Sequence, residues 1–337
     1  MSTAARWRIL VVAFAALTAV AVTYTLYAAG RTDARDKARP GGPAIAAGTF
    51  DLSGRRQILF RNMAWGPHRD HLASVPLGGT GGPRTAMPLR CYKFHTSGGT
   101  GVCVQAKRGP VKTFSVLILD SRLREIRRYA AGGGPSRTRV SPSGRMVAWT
   151  VFVSGDSYAG VNFSTRTAIL DTRTWKLHSN MERFRVIKDG KPYRSVDVNF
   201  WGVTFADDDL FYATLATKGK TYLVRGNVST RTVRTLRENA ECPSLSPDGT
   251  RIAFKHRVKG DMSALPWRLH VLDLRTMTET ATAETRPLDD QVSWLDDRTL
   301  MYAIPAEYES DQYRVPADGT GSPALVMKAA QVPAVLP

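Results

Sequence analysis

Few residue types in this 337-residue chain sit at spacings that could do chemistry. Of six histidines, only His68 and His71 stand close together, three positions apart with Asp70 between them. That spacing can supply part of a divalent-metal site, or it can mark a polar loop. Asp207, Asp208 and Asp209 superficially suggest a calcium loop, but the regular oxygen positions and closing glutamate of an EF-hand are missing. A solvated turn is the plainer reading, and it extends to Asp289-Asp290 and Asp296-Asp297. Glu125, Glu182 and Glu279 could each pair with an aspartate for glycoside chemistry, which needs two carboxyl groups at a set separation. No G-x-S-x-G elbow is present for a serine nucleophile. Gly98-Gly99-Thr100-Gly101 is not a phosphate loop, because no G-K-S/T follows it. Catalytic, cofactor-binding and metal-binding residues therefore stay unassigned: none of these patterns is complete.

Three cysteines, Cys91, Cys103 and Cys242, make neither a zinc site nor a disulfide scaffold. Cys91 and Cys103 can bridge across a local hairpin if the compartment is oxidising. The other reading is three thiols filling sheet cores.

The N-terminus speaks to compartment. From Ile9 to Ala29 the chain carries no charge. At about 1.5 Å per residue such a helix crosses the hydrocarbon of a bilayer. The expected layout is a short tail at 1–8, a transmembrane anchor or signal segment at 9–29, a flexible spacer at 30–50 and a folded domain at 51–337. The run is longer than the usual signal core and retains Tyr24, Leu26 and Tyr27, which favours an uncleaved anchor. Ala28-Ala29-Gly30 nevertheless offers a cleavage site that would release a secreted form. Arg6 and Arg8 oppose Arg31, Arg35, Lys37 and Arg39 under the positive-inside rule. The expected topology is single-pass, with the large domain on the extracytoplasmic side.

That domain repeats. Val140-Ser-Pro-Ser-Gly-Arg-Met-Val-Ala-Trp149 matches Leu245-Ser-Pro-Asp-Gly-Thr-Arg-Ile-Ala-Phe254 position for position. Proline presets the turn, glycine accepts positive φ, and the apolar residues beyond alternate along a strand. Shortened copies run over Phe205–Tyr212 and Trp294–Tyr302. A second element, Leu-Asp-x-Arg, ends a strand at Leu119–Arg122, Leu170–Arg173 and Leu272–Arg275. With Tyr222–Val228, Val75–Pro83 and Val315–Pro323, the outer hairpins fall near residues 77, 120, 171, 226, 273 and 318. The fold expected is all-β: a six-bladed β-propeller of four-stranded sheets preceded by one transmembrane helix, with Gln331–Leu336 supplying a strand for closure.

The Ser-Pro-Asp/Ser-Gly turn followed by an apolar–aromatic strand resembles the repeat of the TolB-like (WD40-like) propeller family, over roughly residues 51–330. The resemblance implies a protein-interaction platform in the cell envelope, bound to an envelope protein. The segment ahead of the ring does not resemble the small α/β domain that precedes the propeller in TolB itself. An envelope enzyme of glycosidase or lyase type using the axial funnel is the alternative. The balance beyond residue 50, 41 basic against 27 acidic residues, brings in a third reading: binding of an anionic wall polymer or sugar. No zinc finger, arginine-rich helix or RNA-binding strand accompanies the charge, so nucleic acid is not an expected partner. Two insertions, Ser154–Arg166 with Tyr158, Asn162 and Phe163, and Arg183–Arg194 with five basic residues around Phe184 and Tyr193, are the expected contact loops.

Overall fold

A computed structural model describes residues 2–37, 42–54, 56–107, 112–153, 164–260 and 265–336. Its organising feature is that strand after strand buries both faces. In Thr100–Lys107, Val102 and Val104 join one apolar cluster while Cys103 joins another on the opposite side. In Gln57–Asn62, Leu59 faces one way, and Ile58 and Phe60 the other. Alternation with a period of two sends neighbouring side chains to opposite faces. A sheet apolar on both faces must be covered on both, and six such sheets in a ring cover one another.

Six seams result, each filled by its own apolar cluster. The blades carry their inner strands at Ala330–Leu336, Lys93–Ser97, Gly134–Val140, Asn199–Phe205, Glu241–Leu245 and Ser293–Trp294. The C-terminal strand pairs antiparallel with Gln57–Asn62, so blade one is made from both ends of the chain and the ring is closed by hydrogen bonds. All six expected outer hairpins connect the third and fourth strands of successive blades. The two full repeats, 140–149 and 245–254, occupy the same place in blades three and five.

Their turns are held alike. Ser141 N–H donates to Met146 O, and Ser246 N–H to Arg251 O; each serine Oγ accepts the return N–H at 2.9 and 3.0 Å. Gly144 and Gly249 take φ of 83° and 72°. Each turn then reaches across the seam to an aspartate of the next blade. Ser141 Oγ donates to Asp208 at 2.8 Å, and Asp248 N–H donates to Asp297 at 2.9 Å. Gly98 approaches the Ser143 backbone so closely that a Cβ would lie 2.2 Å from it, so Gly98-Gly99 serves a tight inter-blade contact.

Two expectations change in detail. Ile45–Ala47, inside the stretch read as spacer, forms a parallel strand against Arg84–Arg90 on the rim of blade one. The basic insertion at 183–194 is not an open loop. It contributes a one-turn helix and two strands, Arg185–Lys188 and Lys191–Tyr193, that widen blade four, because Phe184, Val186 and Ile187 bury against it. Residues 154–163 of the other insertion lie outside the described residues. The N-terminal helix spans Thr3–Asp36, and its Thr3–Gly30 portion is long and apolar enough to cross a membrane, with none of its most apolar window buried.

Cys91 and Cys103 form a disulfide that closes 12 residues within blade two. Loop-closure entropy assigns such a bridge about 3 kcal/mol. Reduction, or replacement of both cysteines by alanine, is expected to lower the unfolding free energy by roughly that amount, measured as the shift of the urea midpoint.

Candidate functional site

Inner strands of a ring bury one set of alternating side chains in the seams and turn the other set towards the axis. In Lys93–Ser97, Phe94 and Thr96 are buried while Lys93 and His95 are not. In Gly134–Val140, Ser136, Thr138 and Val140 are buried and Arg137 and Arg139 stand between them. Lys255, opposite Glu241 in the ladder of blade five, and the connection Asp289-Asp290-Gln291 complete the cluster. Lys93, His95, Arg137 and Arg139 keep partial solvent access along the channel, yet protein surrounds each of them closely.

The acids here are committed. Lys255 Nζ lies 2.5 Å from Asp289 Oδ1, 4.0 Å from Glu241 Oε2 and 4.1 Å above the Trp267 ring. Trp267 Nε1–H donates to Glu241 at 2.9 Å. Burial pushes the Asp289 carboxyl up, but Lys255 and Arg137 outweigh it and leave it below its ordinary value. Asp290 accepts N–H bonds from Gln291 and, at 3.3 Å, Ala303. Gln291 Nε2 in turn donates to Val203 O and Pro243 O at 3.2 and 3.0 Å, tying blade six to blades four and five.

The bases are not so well served. Arg137 donates to Ser136 O at 3.1 Å and reaches Asp289 at 3.5 Å; burial works against its charge, but Cys242, Asp289 and Asp290 outweigh it and raise its pKa, while its Nε is buried without a partner. Among the described residues no carboxylate lies within ion-pair distance of Arg139: Nη2 reaches Ser244 Oγ at 3.4 Å, Nη1 meets His95 Nε2 at 3.0 Å, and Nε is buried without a partner. Burial lowers Arg139 to about 10, with Asp290 only partly offsetting it. Burial, and then Arg137, lower Lys93 to about 8 against the pull of Asp290.

The expected site residues fall elsewhere. His68 and His71 are edge-to-face with centroids 5.6 Å apart, but Asp70 turns away to Arg61 at 2.5 Å. Asp208 and Asp209 brace blade connections, Asp209 through Asn227 and the Ser229 N–H. Glu125, Glu182 and Glu279 do not reach the axis. Glu125 pairs with Arg128 on an outer strand, Glu182 lies in the one-turn helix of the blade-four extension, and Glu279 lies on the outer strand of blade five. Asp289 and Asp290, expected to sit in a solvated turn, instead enter the axial cluster, because the connection from blade five to blade six runs inward over the channel.

Glu279 anchors the one group able to offer three metal ligands among the described residues, with His256 and His270. Its own hydrogen bonds account for the arrangement. Asn239 is fixed by Arg257, accepting its N–H and donating to its C=O, both at 3.0 Å. Its Nδ2–H therefore points at His256 Nε2, leaving the ring proton on Nδ1, which donates to Glu279 at 2.7 Å. His270 Nδ1 lies 2.5 Å from the same oxygen without hydrogen-bond alignment, and Arg237 holds the other oxygen. A metal on His256 Nδ1 would displace that proton and require Asn239 to turn.

No protein-family model and no curated protein matches the sequence. Among solved structures, TolB from Acinetobacter baumannii superposes with a TM-score of 0.58 and 18% identity, over 86% of this chain and 68% of that one. A TolB-type protein of Agrobacterium tumefaciens gives 0.48 and 11%, over 82% and 91%. A puromycin-hydrolysing peptidase of Mycobacterium tuberculosis gives 0.46 and 16%, over 83% and 44%.

A cation hemmed in by protein and short of partners costs stability. For Lys93 the cost is full below pH 8, where the amine is charged in both states. It falls away between about 8 and the ordinary 10.5, where only the unfolded chain stays protonated. Lys93→Met is accordingly expected to raise Tm at pH 7 by about 1–3 °C. The gain should shrink as pH rises through that window, measured by thermal melts at pH 7, 9 and 10.5.

Proposed function

We propose that this chain, which has the fold of a TolB-like six-bladed propeller, is a membrane-held recognition ring that binds a partner protein across its axial mouth. The observation that carries this is the axial cluster: its carboxylates are tied to its own cations and amides, while cationic donors remain short of acceptors. A general acid for glycoside chemistry needs a raised pKa, and Asp289 has a lowered one. Donors left without acceptors suit binding.

Placement outside the cytoplasm is supported by the apolar Thr3–Gly30 helix and by the Cys91–Cys103 bridge, which persists in oxidising compartments. The exposed bases of the blade-four extension, Arg183, Arg185, Lys191 and Arg194, add a rim attractive to acidic surfaces, which also suits an anionic wall polymer.

A photo-crosslinking residue at Lys218 or Lys259, exposed on turns between second and third strands, is expected to trap one protein in intact cells. The same residue at Ile126, on the outer edge of blade two, is expected to trap none. Capture from all three sites alike, or from none, would refute the reading. Protease added to cells with a permeabilised outer barrier but a sealed inner membrane should degrade the ring. Survival of the ring would place it on the cytoplasmic side.

A further inference from the structure

The axial cluster has more hydrogen-bond donors than its own residues can satisfy, and the imbalance is located at particular atoms. Val140 N–H donates to His95 Nδ1 at 3.1 Å. The imidazole is neutral, because burial holds its pKa well below the ordinary value and Arg139 adds to the effect. A neutral ring has one acceptor nitrogen. With Nδ1 taken by a backbone group that cannot turn away, the proton lies on Nε2, and that N–H points at Arg139 Nη1 only 3.0 Å away. Two donors face each other. Beside them Arg139 Nε and Arg137 Nε are buried without partners.

Charge repeats the pattern. Lys93, Arg137, Arg139 and Lys255 are four cations, and Glu241, Asp289 and Asp290 are three carboxylates; His95 is neutral, and the buried Cys242 sulfur faces Arg137, Arg139 and Lys255. One positive charge is left over. Two acceptor oxygens carrying one negative charge satisfy both deficits together, and a carboxylate is that group. A phosphate dianion overshoots the charge and is set against Asp289 and Asp290.

We propose that the axial channel is a carboxylate-binding site in which Arg139 and the His95 Nε2–H hold one ligand carboxylate, with Arg137 and Lys93 neutralising it. This rests on reading the axial mouth as the recognition face, and it names the chemical group recognised there. The carboxylate can come from a peptide terminus or from a sugar acid, and the two are told apart by the ligand used.

The test uses the full chain in nanodiscs of neutral lipid at fixed ionic strength, with titration calorimetry of four probes: acetyl-triglycine, its C-terminal amide, glucuronate and inorganic phosphate. Acetyl-triglycine or glucuronate is expected to bind, the binder identifying the source, and the amide is expected to bind about tenfold or more weakly. Arg139→Gln should weaken binding of the free acid by about tenfold or more. Arg139→Lys, which keeps the charge but loses the fork, should give an intermediate loss. Arg128→Gln, on the outer strand of blade two, should leave binding unchanged. If Arg139→Gln unfolds the ring, His95→Ala serves the same comparison. Binding of acetyl-triglycine matched by its amide, tighter binding of phosphate, no binding of either acid, or unchanged affinity in the Arg139 variants overturns the proposal. Binding of an acid without any protein captured at Lys218 or Lys259 leaves the carboxylate site standing and removes the protein partner. Capture without acid binding does the reverse.

Discussion

Everything in this molecule follows from strands with two apolar faces. A sheet whose middle strands bury residues on both faces cannot stand alone or pack on one partner; it needs a neighbour on each side. Arranged around an axis, each blade supplies half of two seams, and the six apolar clusters are the direct record of that sharing. Closure is the weak point of any ring. Here it is made by pairing Ala330–Leu336 with Gln57–Asn62, so that the two ends of the domain lie in one sheet.

The same geometry creates the site. A strand beside the axis has a seam side and a channel side, and only the seam side can be apolar without leaving a dry hole. Polar residues at alternate positions, Lys93 and His95, Arg137 and Arg139, are the consequence. Once there, they are removed from bulk water, and each charge must find a partner nearby. Lys255 finds Asp289 and Glu241; Arg139 finds only a histidine and a serine. The difference between those two outcomes separates the structural part of the channel from its receptive part.

The ring was readable from the sequence because its signals are local. Ser141-Pro142-Ser143-Gly144 and Ser246-Pro247-Asp248-Gly249 specify the same turn by the same proline, glycine and serine chemistry, and the Leu-Asp-x-Arg corners mark the outer hairpins. Both kinds of signal lie within a few residues of each other. The axial cluster draws on three blades and on the connection into a fourth, and no spacing rule relates Lys93 to Asp289. A trace was nevertheless present: Lys-Phe-His and Arg-Thr-Arg alternate basic with buried residues within inner strands, where a strand merely exposed to solvent would have no reason to cluster bases. The aspartate runs misled for the opposite reason. Asp207-Asp208-Asp209 looks like a ligand set in one dimension, but its side chains leave in different directions: Asp208 to Ser141 and Ser143, and Asp209 to Asn227. Asp70 likewise left the two histidines for Arg61, a residue nine positions earlier in the chain.

The short parallel strand at Ile45–Ala47 has a mechanical meaning. Gly42, Pro43 and Ile45 share a cleft of about 350 Å³ with Trp65, His68 and Tyr308, at the seam between the first and last blades. Any pull transmitted through the stem reaches this shallow attachment before it reaches the strand that shuts the ring. Three residues of ladder and a few rings make up that grip. This short grip thus stands between the stem and the clasp.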